Sequence, residues 1–234
     1  MTSVTSGVLD GAMVAAVRPQ IARSDESRKF VDDLLGDLSA RRFRPGAWVL
    51  FFGRSMVRSV DQARARPVAA AELTAYHLLA WRFGGRRWTL VSWLLTITHL
   101  GLLGESRTMG WPNRLTVLRG LLPSFARPSP WTAVAALASD FTDGRLARRA
   151  GETAFGAFAD PIADGVFWSW YALRRERNRW LRWAPLAIFA VSTAAIAGAY
   201  FVSGRAIDYP RPIALRYVSA ATQIAIALRS ATST

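Results

Sequence analysis

The chain has 234 residues, 51% of them hydrophobic and ten of them tryptophan, with 30 basic residues against 16 acidic for a formal charge of +14. That length allows one or two domains and leaves no room for a large soluble enzyme fused to a membrane bundle. The basic residues flank apolar runs and no nucleic-acid motif is present, so anionic lipid headgroups and a diphosphate-bearing substrate account for the charge and nucleic acid is not expected as a partner; the absence of cysteine excludes disulfides and thiolate metal sites.

Residues 1–23 are polar or small, without the charged start and long apolar core of a cleavable signal peptide. From Ser24 the pattern changes. Ser24 can cap, Asp25 and Glu26 favour the positive helix end, and Val31, Leu34, Leu35 and Leu38 form an i, i+3, i+4, i+7 stripe. This predicts an amphipathic helix that Pro45 and Gly46 end. Residues 47–60 are apolar but short and carry Arg54 and Arg58, which suits an interfacial segment. After Pro67 a further helix is expected, with His77 as a packed or interfacial histidine. Residues 1–87 therefore read as an N-terminal amphipathic, juxtamembrane helical cap, and residues 88–234 as a transmembrane domain.

Within 88–234, residues 88–104 are the first spanning candidate, at the lower limit of about 17 residues. His99 within them has a helix-packing role as its plainer reading. Helices are then expected over 112–122, 131–143, 153–173, 183–203 and 212–229. The overall expectation is an all-α integral membrane bundle of about 5–6 transmembrane helices with an amphipathic cap.

The densest chemistry lies in DFTDGRLARRAGETAFGAFADPIAD, from Asp140 to Asp164. Asp140 and Asp143 are i, i+3, and Asp160 and Asp164 are i, i+4, so each pair occupies one helix face. A carboxylate near hydrocarbon costs roughly 2.5–3.5 kcal/mol, so four together need a specific compensation. Mg²⁺ or Mn²⁺ suits such hard oxygen ligands and leaves positions for phosphate oxygens. Gly144, Ala147 and Gly156 carry no bulk and open space for a nucleotide or phosphate, while Arg148 supplies a guanidinium fork for a diphosphate. Helix capping and salt bridging by Arg145, Arg148 and Arg149 is the plainer alternative for these acids.

Read as D-x2-D-G-x2-A-R-x7-G-x3-D-x3-D, this stretch resembles the motif of the CDP-alcohol phosphotransferase (CDP-alcohol phosphatidyltransferase) family. Family members usually have eight residues where this chain has seven between Arg148 and Gly156, a gap expected to fall in a turn between two helices. Pro112, Asn113, Leu115, Thr116 and Arg119 also match the family's usual first core helix, which places Arg119 in the polar interior as a candidate phosphate contact or a snorkelling arginine.

The resemblance implies a Mg²⁺- (or Mn²⁺-) dependent membrane transferase that moves a phosphoalcohol from a CDP-alcohol to a hydroxyl acceptor and releases CMP. Asp140, Asp143 and Asp160 would hold metal, and Asp164, in the same ligand set, would be the general base. Gly144, Ala147, Arg148 and Gly156 would line the CDP site, with Arg119, Arg211 and Arg216 as further phosphate contacts. CDP-diacylglycerol is the expected donor, a small polyol or polyol phosphate the acceptor, and the inner (cytoplasmic) membrane the location, with the site facing the cytoplasm and a homodimer as a possible assembly. Two alternatives stay open: a CDP-linked head group as donor with a lipid alcohol as acceptor, and a non-catalytic membrane scaffold that keeps the fold.

Overall fold

The computed structural model describes residues 29–150, 153–205 and 213–232, and among these the regular structure is all helical, with no strand. Its helices are α1 (residues 29–40), α2 (Pro45–Ala65), α3 (Pro67–Phe83), α4 (Arg86–Ile97), α5 (Gly110–Phe125), α6 (Pro130–Ala150), α7 (Ala154–Arg175), α8 (Arg179–Ser203) and α9 (Ile213–Thr232), with a 3₁₀ turn at Leu100–Leu103. Contacts divide the described chain into two compact units, 29–53 with 199–205, and 54–198 with 213–232. Helix α4 contains residue 87 and falls in the same unit as α3.

In the first unit the stripe on α1 is used as its spacing demands: Leu34, Leu35 and Leu38 are buried and Val31 is half-buried. The expected cap at Ser24, with Asp25 and Glu26, lies outside the described residues. Pro45 opens α2 instead of closing α1, because Arg42 and Phe43 turn the chain first at positive φ and proline is well suited to a first helical turn. Trp48 then packs on Phe51, Phe52 and Phe201, with ring centroids 5.8–5.9 Å apart.

In the second unit, α5 lies against α6 and α7, and α3, α4 and the 3₁₀ turn pack on this group. One core runs through Leu73 on α3, Leu100 and Leu103 in the turn, Val117 and Leu121 on α5, and Phe155 on α7. A second joins Ala133 and Ala136 of α6 to Phe167, Trp168 and Tyr171 of α7 and Ile226 of α9. The Tyr171 hydroxyl lies 2.7 Å from Ser230 Oγ, and Arg229 Nε donates to Glu176 at 3.1 Å, so α9 is held along the far end of α7.

Residues 88–104 do not form the single helix expected of a span. Helix α4 stops at Ile97 after 12 residues, about 18 Å of rise against a hydrocarbon thickness of about 30 Å. Thr96 and Thr98 turn their hydroxyls back onto the Ser92 and Leu94 carbonyls at 2.7 Å, a local bonding that competes with helix continuation. His99 then stacks on Phe158 of α7 at 3.9 Å, which is a packing role. Among the described residues one helix, α8 with 25 residues, is long and apolar enough to cross a membrane. Helices α6 and α7 have 21 and 22 residues, enough for about 32 Å of rise, but carry the aspartates and arginines of the motif.

Two contacts join α4 and α3 firmly to their neighbours. Gly85, at φ +56°, sits so close to α5 that a Cβ there would lie 2.6 Å from Ser124 Cα. Gly85→Ala is therefore expected to cost on the order of 2–4 kcal/mol, combining left-handed strain with displaced backbone. Gly36→Ala, in open space on a helix, should be neutral or stabilising. Thermal unfolding of the two variants checks the contrast.

His77, buried on α3, donates from Nδ1 to the Leu73 carbonyl at 2.8 Å, which leaves Nε2 to accept from Ser92 of α4 at 3.0 Å. Burial lowers its pKa below the ordinary 6.5 despite the opposing effect of the Leu73 carbonyl. The folded chain thus holds His77 neutral, while the unfolded chain protonates it near pH 6.5. Its contribution is complete above that pH and is lost as pH falls toward the lowered folded value. Melting temperature should fall on acidification below about pH 6.5, and His77→Gln should show a flatter profile over the same range.

Candidate active site

The sequence of α5 puts Asn113, Thr116 and Arg119 on one face, and all three are buried. Gly120 follows, where a Cβ would meet Ala163 Cβ at 3.4 Å, so α5 and α7 lie close. Thr153 caps α7 by accepting from the Gly156 N–H at 3.0 Å, which fixes where its acidic face begins. Pro161 cannot donate to the Ala157 carbonyl, so the α7 ladder has a gap beside Asp160.

These helices bring the four expected aspartates to one point, and Arg119 occupies it. Its Nη1 lies 2.6 Å from Asp143, its Nη2 3.4 Å from Asp140 and 3.3 Å from Asp160, and its Nε 2.7 Å from Asp164. The arginine side chain is fully enclosed; Asp143 is 4% exposed, Asp164 25%, Asp160 44% and Asp140 51%. The cluster is therefore deep at Asp143 and open at the Asp140–Asp160 edge. One positive charge faces four negative ones.

Thr116 adds a hydroxyl 2.5 Å from Asp160 Oδ1 and 3.3 Å from Asp143 Oδ2, bridging the two acidic helices. Nothing in the spacing of the acids identified Thr116 as their partner, although it stands one helical turn before Arg119. Gly156 is closely packed: Asn113 Oδ1 would lie 3.0 Å from a Cβ there, and Thr153 donates to that same oxygen at 3.1 Å. Gly144 is half-buried beside Asp143, and Arg145 lies over the Phe141 ring at 4.2 Å. Arg211 lies outside the described residues, as do the side chains of Ala147, Arg148 and Arg216.

A cavity of about 30 Å³ adjoins the cluster, room for about one water, lined by Trp88 and Thr96 of α4, Thr116 and Gly120 of α5, and Phe158 and Ala163 of α7. Trp88, on its wall, donates from Nε1 to the Gly120 carbonyl at 2.8 Å.

Four carboxylates on two facing helices are the hard-oxygen donor set that a small divalent cation requires, and Asp164 Oδ1 is a buried acceptor with no hydrogen bond. The residues fit such an ion in chemistry. In the arrangement just described, no group of three or more His, Cys, Asp or Glu side chains among the described residues is spaced to hold one.

The acids of α6 and α7 and the Pro112–Arg119 face of α5 together form one site within the helical group. The chain belongs to the CDP-alcohol phosphatidyltransferase family, whose model matches residues 109–231, more than half its length. No curated protein and no solved structure matches it.

Proposed function

We propose that this chain is a membrane-embedded, Mg²⁺- or Mn²⁺-dependent transferase that moves a phosphatidyl group from CDP-diacylglycerol to a hydroxyl of a small polyol or polyol phosphate and releases CMP. The observation that carries the reading is the convergence of Asp140, Asp143, Asp160 and Asp164 around one point open on one side. Helix α8 supports membrane attachment, and the family supports a CDP-alcohol donor. The site is taken to face the cytoplasm, where a soluble polyol or polyol phosphate acceptor would reach it.

In this reading Asp140, Asp143 and Asp160 would hold the divalent cation, with Asp164 completing the ligand set. The bound ion would neutralise the donor's diphosphate and the charge on departing CMP. Asp164 accepts the proton of the acceptor hydroxyl as that oxygen bonds to the lipid-bearing phosphorus, and the bond from this phosphorus to the CMP oxygen breaks. Thr116 keeps Asp160 and Asp143 in register. Gly144, Ala147 and Arg148 line the CDP moiety and Arg211 and Arg216 are its candidate phosphate contacts, whereas Gly156 is packed against Asn113 and Arg119 is enclosed by the acids, so neither is kept in that role.

The test is CMP release by purified full-length protein in detergent or lipid, with Mg²⁺, CDP-diacylglycerol and a panel of polyols and polyol phosphates. Acceptor-dependent CMP supports the proposal and names the acceptor. Turnover only with a CDP-linked head group and diacylglycerol would invert donor and acceptor, and no CMP from either would leave a scaffold that keeps the fold.

A further inference from the structure

The enclosed guanidinium of Arg119 stands where a cation would have to bind. Its nitrogens face the carboxylates at 2.6–3.4 Å, whereas Mg²⁺ needs oxygens at about 2.0–2.1 Å around a single point. A planar fork with five N–H donors spreads those oxygens apart, which accounts for there being no group of three acids spaced for an ion among the described residues. The oxygens it faces are Asp140 Oδ1, Asp143 Oδ2, Asp160 Oδ1 and Asp164 Oδ1. The same oxygens cannot serve both partners.

The pairing is also uneven. Asp143 receives a 2.6 Å hydrogen bond from Nη1, yet Arg119 Nε and Asp164 Oδ1, though 2.7 Å apart, are not aligned to bond, and neither has another hydrogen-bond partner. An arginine cannot shed its charge to make room. It can only move.

We propose that Arg119 is the resident counter-ion of the acid cluster in the cation-free protein, and that a divalent cation enters by exchange with this guanidinium. This rests on the metal-dependent reading above and adds to it a role for one residue. The exchange explains how four carboxylates can be assembled in an apolar setting before any ion arrives, and it makes apparent cation affinity a difference between two competing cations. Asp140 and Asp164 are the two corners where the guanidinium makes no hydrogen bond, and of these Asp140, at the exposed edge, is the one an ion can reach first.

The experiment is Mn²⁺ binding to the purified full chain, followed by the loss of the free hexaaqua Mn²⁺ EPR signal, with thermal unfolding measured with and without Mg²⁺. Removing the competing charge in Arg119→Gln is expected to tighten Mn²⁺ by at least about tenfold, and to give a variant with a lower melting temperature without cation and a larger Mg²⁺-induced rise than the unaltered chain. Arg119→Lys keeps a single charge with a narrower head, and should fold with an intermediate affinity even where the glutamine variant does not. Equal Mn²⁺ affinity in the unaltered chain and both variants would overturn the exchange while leaving the metal-dependent reading intact. Weaker binding in folded variants would also overturn it, and would make Arg119 a support for the ligands. No Mn²⁺ binding by any of the three would overturn both. Binding only in the variants supports the exchange in its strongest form.

Discussion

Asp164→Asn is expected to reduce acceptor-dependent CMP release by about 10²–10⁴-fold without lowering the melting temperature. Asparagine has the shape of aspartate but cannot take a proton from an acceptor hydroxyl, which is the loss the rate should register. The stability side follows from the charges: one guanidinium faces four carboxylates, so neutralising Asp164 removes its repulsion with the other three, which offsets the loss of its 2.7 Å ion pair with Arg119. Asp164 Oδ1 has no hydrogen bond to lose. A catalytic acid kept at some expense to stability is the pattern expected of an active site. Retention of CMP release within about tenfold of the unaltered chain would remove Asp164 from the role of base, and a fall in melting temperature would show that it mainly holds Arg119.

Phe167→Ala should be the most damaging single truncation in the second core, costing about 3–5 kcal/mol. Phe167 is fully buried and has ring centroids 5.1 Å from Trp168 and 5.8 Å from Tyr171, against Ala133 and Ala136 of α6. The small alanines cannot move in to fill the space, so the lost dispersion contacts are not replaced. The effect should reach catalysis too, because the same contact sets α6 against α7 and so sets Asp140 and Asp143 against Asp160 and Asp164. Thermal unfolding in detergent measures the first effect and CMP release the second; a loss below about 1 kcal/mol would contradict the packing described.

The five helices after residue 109 were largely legible in the sequence. Expected ranges of 112–122, 153–173 and 183–203 correspond to Gly110–Phe125, Ala154–Arg175 and Arg179–Ser203, because apolar runs there are bounded by Gly, Pro and charged residues. Helix α6 runs on to Ala150, past the expected end at 143, since the Gly144 in it does not break the ladder. The turn expected between Arg148 and Gly156 lies in part outside the described residues; α6 ends at Ala150 and α7 begins at Ala154.

The acidic faces were legible for a similar reason: i, i+3 and i, i+4 spacing is a property of one helix. What stands between two helices is not. Arg119 was a candidate for phosphate or for snorkelling, and only the packing of α5 against α6 and α7 turns it into the acid cluster. Likewise the space expected beside Gly156 is filled by Asn113, a neighbour that no spacing within the motif specifies. The early end of α4 depended on side-chain hydroxyls whose choice of carbonyl is local and weakly encoded.

Residue 109, where the family likeness begins, is not a place where the protein can be divided. The first N–H groups of α5 have no partners within their own helix, and the Met109 N–H is met by Glu72 Oε2 of α3 at 3.1 Å, while the same carboxylate pairs with Arg114 at 2.7 Å. Leu73, Leu100 and Leu103 lie on one side of that boundary and Val117, Leu121 and Phe155 on the other, within a single core. The inherited module and the folding unit are thus different objects. Residues 109–231 could not be transplanted behind another leader and keep their shape unless that leader also brought a carboxylate for the start of α5 and an apolar surface to seat it.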